Sequence, residues 1–400
     1  MIDTATVAGG LERLTQWFGR HDAWSCGMAF ATGPVFEESY GVRAALLADK
    51  VLGIGRVREV ALAFCDRALL FQGLVETDMY YMGYGNNVNA EGVPCCSCVA
   101  DASSTAMAIV ETVQTHPDAP KAAAYLQSVR RFADYVLATY LTREGVIGVG
   151  ILSHQPNPWK QYWCANSLFA CVLIGLAEIT REERYLDAAL SPLEYLARYE
   201  YRSTGDRQWD LSPTEMVFYA AEGILAGLSS PAIQGRLDRG ARGFPVDNLS
   251  VHAGTPDAAA NRKTLTQAGP AATGQTNLGG LLRSRWSELA AWLRANQDPD
   301  GSWPTTKPYS CYQAGLSWTM LRAMRSLGRQ DELETCVARH VSFLTSARAK
   351  PFLGLFCNLF ASALAYLSLA AAGAVCREKE STAFDTAVEA ARAEAIADPW

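Results

Sequence analysis

The carboxylates, thiols and aromatic side chains able to do chemistry in this 400-residue chain gather in a few short stretches. Residues 76–104 carry Asp78, Tyr80, Tyr81 and Tyr84, then the thiols Cys95, Cys96 and Cys98, and near their end Asp101. Residues 145–166 carry His154, Trp159, Tyr162, Trp163 and Cys164, and residues 205–214 carry Trp209 and Asp210. Trp24, Trp303 and Tyr312 stand in or beside further stretches of the same kind. A carboxyl held where water is partly excluded keeps its proton to higher pH and can donate it near neutrality. Aromatic faces beside it suit sugars and apolar ligands and stabilise developing positive charge. Asp101, Asp78, Asp210 and Cys164 are therefore the candidate acid–base groups. The candidate substrate-binding residues are Trp24, Tyr80, Tyr81, Tyr84, His154, Trp159, Tyr162, Trp163, Trp209, Trp303 and Tyr312. Asp101 opens a helical segment, where a helix N-cap is the competing reading. Any single ring could equally pack the rim of the fold.

The 11 cysteines are odd in number and spread along the chain, which is no disulfide framework. Cys95, Cys96 and Cys98 could surround a zinc ion together with His154, but their spacing matches no zinc module. Free cysteine also serves as a small buried hydrophobe. The expectation is acid–base chemistry without metal or cofactor.

Helix formers dominate, and no stretch alternates as a strand would, so the chain reads as all-α. The helical segments are of two kinds in strict alternation. Charged, amphipathic segments fall at 11–20, 57–72, 119–142, 182–199, 281–296 and 331–348. Each precedes a nearly uncharged one, at 38–52, 102–113, 162–176, 213–228, 312–327 and 354–372. A helix polar on one face suits an outer layer, and one apolar all round suits an inner layer. Six such hairpins bury a common core by closing into an (α/α)6 barrel, or toroid. The outer-to-inner connections are long and carry the candidate residues, whereas the return connections are short. The candidates are therefore expected at one mouth, beside the N-terminal ends of the inner helices. One domain over residues 1–400 is expected, with a poorly structured insertion around 229–280. Residues 351–375 carry no charge and are long enough to span a bilayer. Because the same style of helix recurs in this chain, a buried helix is the expectation there, not a membrane span.

Two segments resemble the α/α-toroid superfamily. Gln297-Asp298-Pro299-Asp300-Gly301-Ser302-Trp303 is similar to the Q-x-x-D-G-x-W repeat of terpenoid cyclases, and Ser310–Ser317 to an inner-helix start of protein prenyltransferases. Asp101-Ala102-Ser103-Ser104-Thr105-Ala106 resembles the D-x-D-D-T-A protonation motif of class II cyclases, with Ser103 where the proton-donating Asp would stand. Trp163-Cys164-Ala165-Asn166 is similar to the cysteine-bearing start of a linalool dehydratase–isomerase helix. Residues 209–220 and 77–82 resemble instead the unsaturated glucuronyl and rhamnogalacturonyl hydrolases, which share the barrel and use Asp to hydrate an unsaturated sugar. That resemblance implies an acid role for Asp78 or Asp210. Lys160, Arg202 and Arg207 are then the evident cations for a uronate carboxylate.

The chain is 49% hydrophobic and 19% charged with net charge −6, which excludes a disordered chain and advertises no nucleic-acid or anionic-membrane partner. No basic, apolar leader opens the sequence, so a cytoplasmic location is expected. The reading is an acid–base enzyme acting on an apolar, terpenoid-like small molecule by cyclisation, isomerisation or (de)hydration. The alternatives are a glycan-processing hydrolase or lyase and a toroid that binds a ligand without catalysis. Oligomeric state is left open.

Overall fold

The computed structural model describes residues 2–20, 35–53, 55, 57–78, 80–85, 87–88, 94–141, 145–149, 160–161, 163–198, 213–237, 277–303, 311–328, 331–349 and 359–379. Among these, the uncharged segments form the helices α2 (Val35–Leu52), α4 (Val99–Thr115), α6 (Trp163–Thr180), α8 (Pro213–Ser229), α11 (Leu316–Leu327) and α13 (Leu359–Lys379). Each packs on the next in that order, and α13 packs back on α2, so the inner ring closes. The charged segments form α1 (Thr4–Arg20), α3 (Val57–Leu70), α5 (Ala122–Thr139), α7 (Glu183–Arg198), α10 (Leu278–Asn296) and α12 (Asp331–Thr345). These lie against the inner ring and against one another. The result is the (α/α)6 toroid expected from the alternation.

Burial explains the two layers. α6 is buried along most of its length, whereas α5 buries one face, through Tyr125, Val129, Phe132, Val136 and neighbours. At the surface Arg184 of α7 pairs with Asp134 of α5 at 2.7 Å, and Arg58 of α3 with Asp118 in the turn before α5 at 2.8 Å. Such exposed pairs contribute little each. α13 takes up most of the uncharged 351–375 stretch, and its residues 361–373 are buried in the ring. α6 is also long and apolar enough to cross a membrane, and it too is an inner-ring helix.

The inner helices approach closely where a hydroxyl interposes. Ser167 on α6 donates to the Tyr219 carbonyl of α8 and accepts the Gly223 amide at 2.8 Å. It stands where the i→i−4 bond of α8 would run. Gly223 has to be glycine there, because a Cβ would meet Ser167 Oγ at 2.6 Å. Ser368 on α13 repeats the device, donating to the Ala314 carbonyl at 2.8 Å and accepting the Trp318 amide at 3.2 Å.

Two short antiparallel sheets decorate the outer-to-inner connections. β1 (Asn87–Val88) pairs with β2 (Pro94–Cys96), and β3 (Gly148–Val149) with β4 (Lys160–Gln161). Buried Asn166 ties the second of these connections to α6. It accepts the Ile147 amide at 2.8 Å and donates to the Ile147 carbonyl at 3.1 Å. Within the 229–280 stretch, residues 229–237 and 277–280 are described. The short helix α9 (Pro231–Leu237) follows α8 after an 84° bend, and α10 begins at Leu278. Residues 238–276 lie outside the described residues.

Candidate active site

The inner helices all start at the same end of the barrel, so their first turns assemble one mouth. α2 opens with Val35-Phe36-Glu37-Glu38, two carboxylates at the start of a buried helix. Glu37 is half-buried and Glu38 fully buried. Burial, with the neighbouring Asp101 charge adding to it, raises the Glu37 carboxyl to about 7. Burial also pushes Glu38 well above the carboxylate range, against the pull of Arg67 on α3. Neither Glu38 oxygen has a hydrogen-bond partner among the described residues. These two glutamates went unselected in the sequence. The available signal was an acidic pair opening an otherwise nearly uncharged inner segment.

Asp101 stands on the first turn of α4, and it is not the cap. Cys98 is: its sulfur accepts the Asp101 amide at 3.4 Å, and its backbone is extended as an N-cap requires. The Asp101 carboxylate bonds to the Cys98 side chain and its charge acts on Glu37 and Cys164. The connections ending at Asp101 and at Cys164 therefore deliver their ends to one place. Burial, Cys98 and Asp101 together hold the Cys164 thiol well above its ordinary range. A buried thiol that keeps its proton at neutral pH is a poor nucleophile or base. Among the described residues no three His, Cys, Asp or Glu side chains converge as ligands of one metal ion.

Trp163 and Tyr312 come together through a residue the sequence reading passed over. Tyr219, on the first turns of α8, lies 5.8 Å from the Trp163 ring and 5.0 Å from the Tyr312 ring. Its hydroxyl bonds to that of Tyr312, and burial pushes its pKa well up. Phe218 extends this wall toward Tyr40 and Trp318. Beneath it the barrel is closed by a charged partition. Tyr40 donates to Glu222 at 2.5 Å, and Arg43 bridges Glu222 at 3.0 Å and Glu111 at 2.9 Å. Burial opposes the Arg43 charge, but the two carboxylates outweigh it and raise the guanidinium pKa further.

Other candidates make their contacts elsewhere in the fold. Tyr84 is buried with its hydroxyl 2.9 Å from Ser128 on α5 and its ring against Phe132, so it anchors the outer layer. Trp303 is buried between α10 and α12, donating to the Leu293 carbonyl at 2.8 Å with His340 edge-on at 4.8 Å. Gln297 completes this tie by donating to Gly301 and to Cys336 of α12. The Q-x-x-D-G-x-W segment is thus a clasp between outer helices, with Trp303 buried inside it. Asp78 accepts the Val75 amide at 3.0 Å in an exposed turn, so its carboxylate is committed to a local turn on the rim. Tyr81 packs edge-on to Tyr135 of α5 at 5.3 Å, and Tyr80 packs across Gly73 beside the same turn. Trp24, His154, Trp159, Tyr162, Trp209 and Asp210 lie outside the described residues.

No family model and no curated protein matches the chain. A solved structure does: a glycosyl hydrolase family 88 protein from Bacteroides vulgatus, at 11% identity with a TM-score of 0.58. The match covers 93% of this chain and 99% of that one. The shared feature is the α/α-toroid fold. The likeness extends over the whole barrel, and it lends no support to the terpenoid-cyclase resemblance.

Proposed function

We propose that this protein is an acid–base enzyme in which Glu37 donates a proton and Asp101 is its carboxylate partner. The observation that supports this is the pairing itself. Two carboxyls on neighbouring first turns, one of them raised to about 7, divide the acid and base roles between them. Acid and carboxylate beside an aromatic wall of Trp163, Tyr219 and Tyr312 suit a sugar ring. The toroid likeness to a glycosyl hydrolase points the same way. The substrate class proposed is accordingly a glycan fragment, processed by a hydrolase or lyase of the unsaturated-uronide type. Glu37 would protonate the substrate's double bond or leaving oxygen, and the ionised partner would help activate water.

A second reading, acid-initiated isomerisation or (de)hydration of an apolar terpenoid-like molecule, draws on Cys98, Cys164 and Phe218 among the mouth-side residues. One experiment separates the two. Purified protein is incubated with unsaturated uronides and, in parallel, with prenyl alcohols, and products are resolved by mass spectrometry. Turnover of the uronide, lost in Glu37→Gln and in Asp101→Asn, supports the glycan reading. Turnover of the prenyl substrate alone replaces it with the second. No turnover of either class rejects both substrate assignments.

A further inference from the structure

At the end of the barrel opposite the mouth, the later turns of α2, α4 and α13 and the length of α11 line a half-open cavity of about 490 Å³. That is room for a small molecule, and nothing in the acid–base reading uses it. One side of its lining is apolar, with Leu46, Leu321 and Leu367. The remainder sets four cations, Arg43, Lys50, Arg322 and Arg325, against two carboxylates, Asp49 and Glu111. Both carboxylates are already engaged. Glu111 accepts from Arg43 at 2.9 Å, and Asp49 accepts the Gly55 amide at 2.7 Å.

Arg43 is matched by Glu111 and Glu222, but Lys50 and Arg322 have no ion-pair partner among the described residues. Arg322 is the more telling of the two. Its Nη1 is buried without a hydrogen-bond partner, while its guanidinium lies over the Trp318 ring at 4.9 Å. A buried N–H left unsatisfied is costly, and a guanidinium held over an indole keeps its place beside the cavity. An acceptor with paired oxygens suits the side of such a guanidinium that faces the cavity.

We propose that this cavity is a second ligand site, taking a small organic anion whose carboxylate meets Arg322 and Lys50. The anion's apolar body lies along Leu46, Leu321 and Leu367. The partition of Tyr40, Glu222, Arg43 and Trp318 separates this site from the mouth, so the two can be probed independently.

The test is calorimetric titration of the full-length protein with octanoate, with octanol and inorganic phosphate as probes that each keep one half of its chemistry. Octanoate binds, and its Kd rises at least roughly tenfold in Arg322→Gln, the order expected for losing a charge-assisted contact. A smaller rise follows in Lys50→Gln, an exposed position that leaves the fold intact and keeps the test open should the arginine variant not fold. Octanol and phosphate each bind more weakly than octanoate. Glu37→Gln leaves octanoate affinity unchanged, because the mouth lies beyond the partition. The proposal is overturned if octanoate does not bind, if Arg322→Gln and Lys50→Gln both bind as wild type does, or if Glu37→Gln abolishes binding.

Discussion

Glu37 on the first turn of α2 and Asp101 on the first turn of α4 interact across the seam between two neighbouring inner helices. The second carboxylate adds to burial in keeping the first protonated up to about pH 7. The pair and two other buried ionisable groups have consequences for activity and stability, and so does the clasp in the outer layer.

If Glu37 is the acid, activity declines as pH rises through about 7. Asp101→Asn removes the charge that raises Glu37, so in whatever activity remains that limb moves to lower pH. It does not fall as far as the ordinary 4.5, because burial is the larger cause. The same group links stability to pH. Its folded pKa lies above the unfolded one, so its contribution is fully present below about 4.5 and is lost as pH rises through about 7. Urea melts of Glu37→Gln across that range should show a flatter profile than wild type. An identical profile would remove Glu37 from the acid role.

His340 on α12 makes the opposite contribution. It is fully buried, neither ring nitrogen has a hydrogen-bond partner among the described residues, and burial lowers its pKa to about 3. The folded pKa lies below the unfolded 6.5, so the associated stability is present above about 6.5 and is lost as pH falls toward 3. His340→Phe keeps a ring between Trp303 and Phe343 and removes the titration. The variant gains on wild type in thermal melts at pH 5, and the difference shrinks above pH 7.

Arg43 holds a fully buried carboxylate in the middle of the barrel. Arg43→Leu leaves Glu222 uncompensated, which costs about 3–5 kcal/mol in denaturant unfolding. Converting Glu222 to Leu as well should recover part of that loss, since the stranded charge goes with it. A double variant no better than the single would mean that shape, not charge, is what Arg43 supplies.

The outer clasp answers to geometry alone. Gly301 has φ +94°, and a Cβ there would meet the Arg339 carbonyl oxygen at 2.3 Å. Gly301→Ala should therefore cost about 3 kcal/mol or more. Trp303→Phe leaves the buried Leu293 carbonyl without its donor, at about 1–3 kcal/mol. Both variants should keep normal activity per folded molecule. A selective rise in KM for Trp303→Phe would return that ring to the substrate site.

The alternation of charged and uncharged helical segments determined the architecture without further help. Whether a helix is polar on one face or apolar all round is written in its own residues, and six such pairs have one way to bury a common core. The same logic put Asp101, Cys164, Trp163 and Tyr312 at inner-helix starts, and the fold gathers all four at the mouth. What the chain could not disclose is which residues meet across helices. Glu37 acquires its raised pKa from its burial in the closed barrel and from a neighbour 64 positions away along the sequence. The cap of α4 is Cys98, three residues before Asp101, whose amide it accepts. Tyr84 and Trp303 look like their mouth-lining counterparts in sequence, yet they point into the outer layer, because Ser128 and the Leu293 carbonyl offer their polar atoms a partner there. Periodicity is local and survives in one dimension. Dielectric surroundings, charge pairs and hydrogen-bond partners are properties of distance in space, and only the closed barrel sets those.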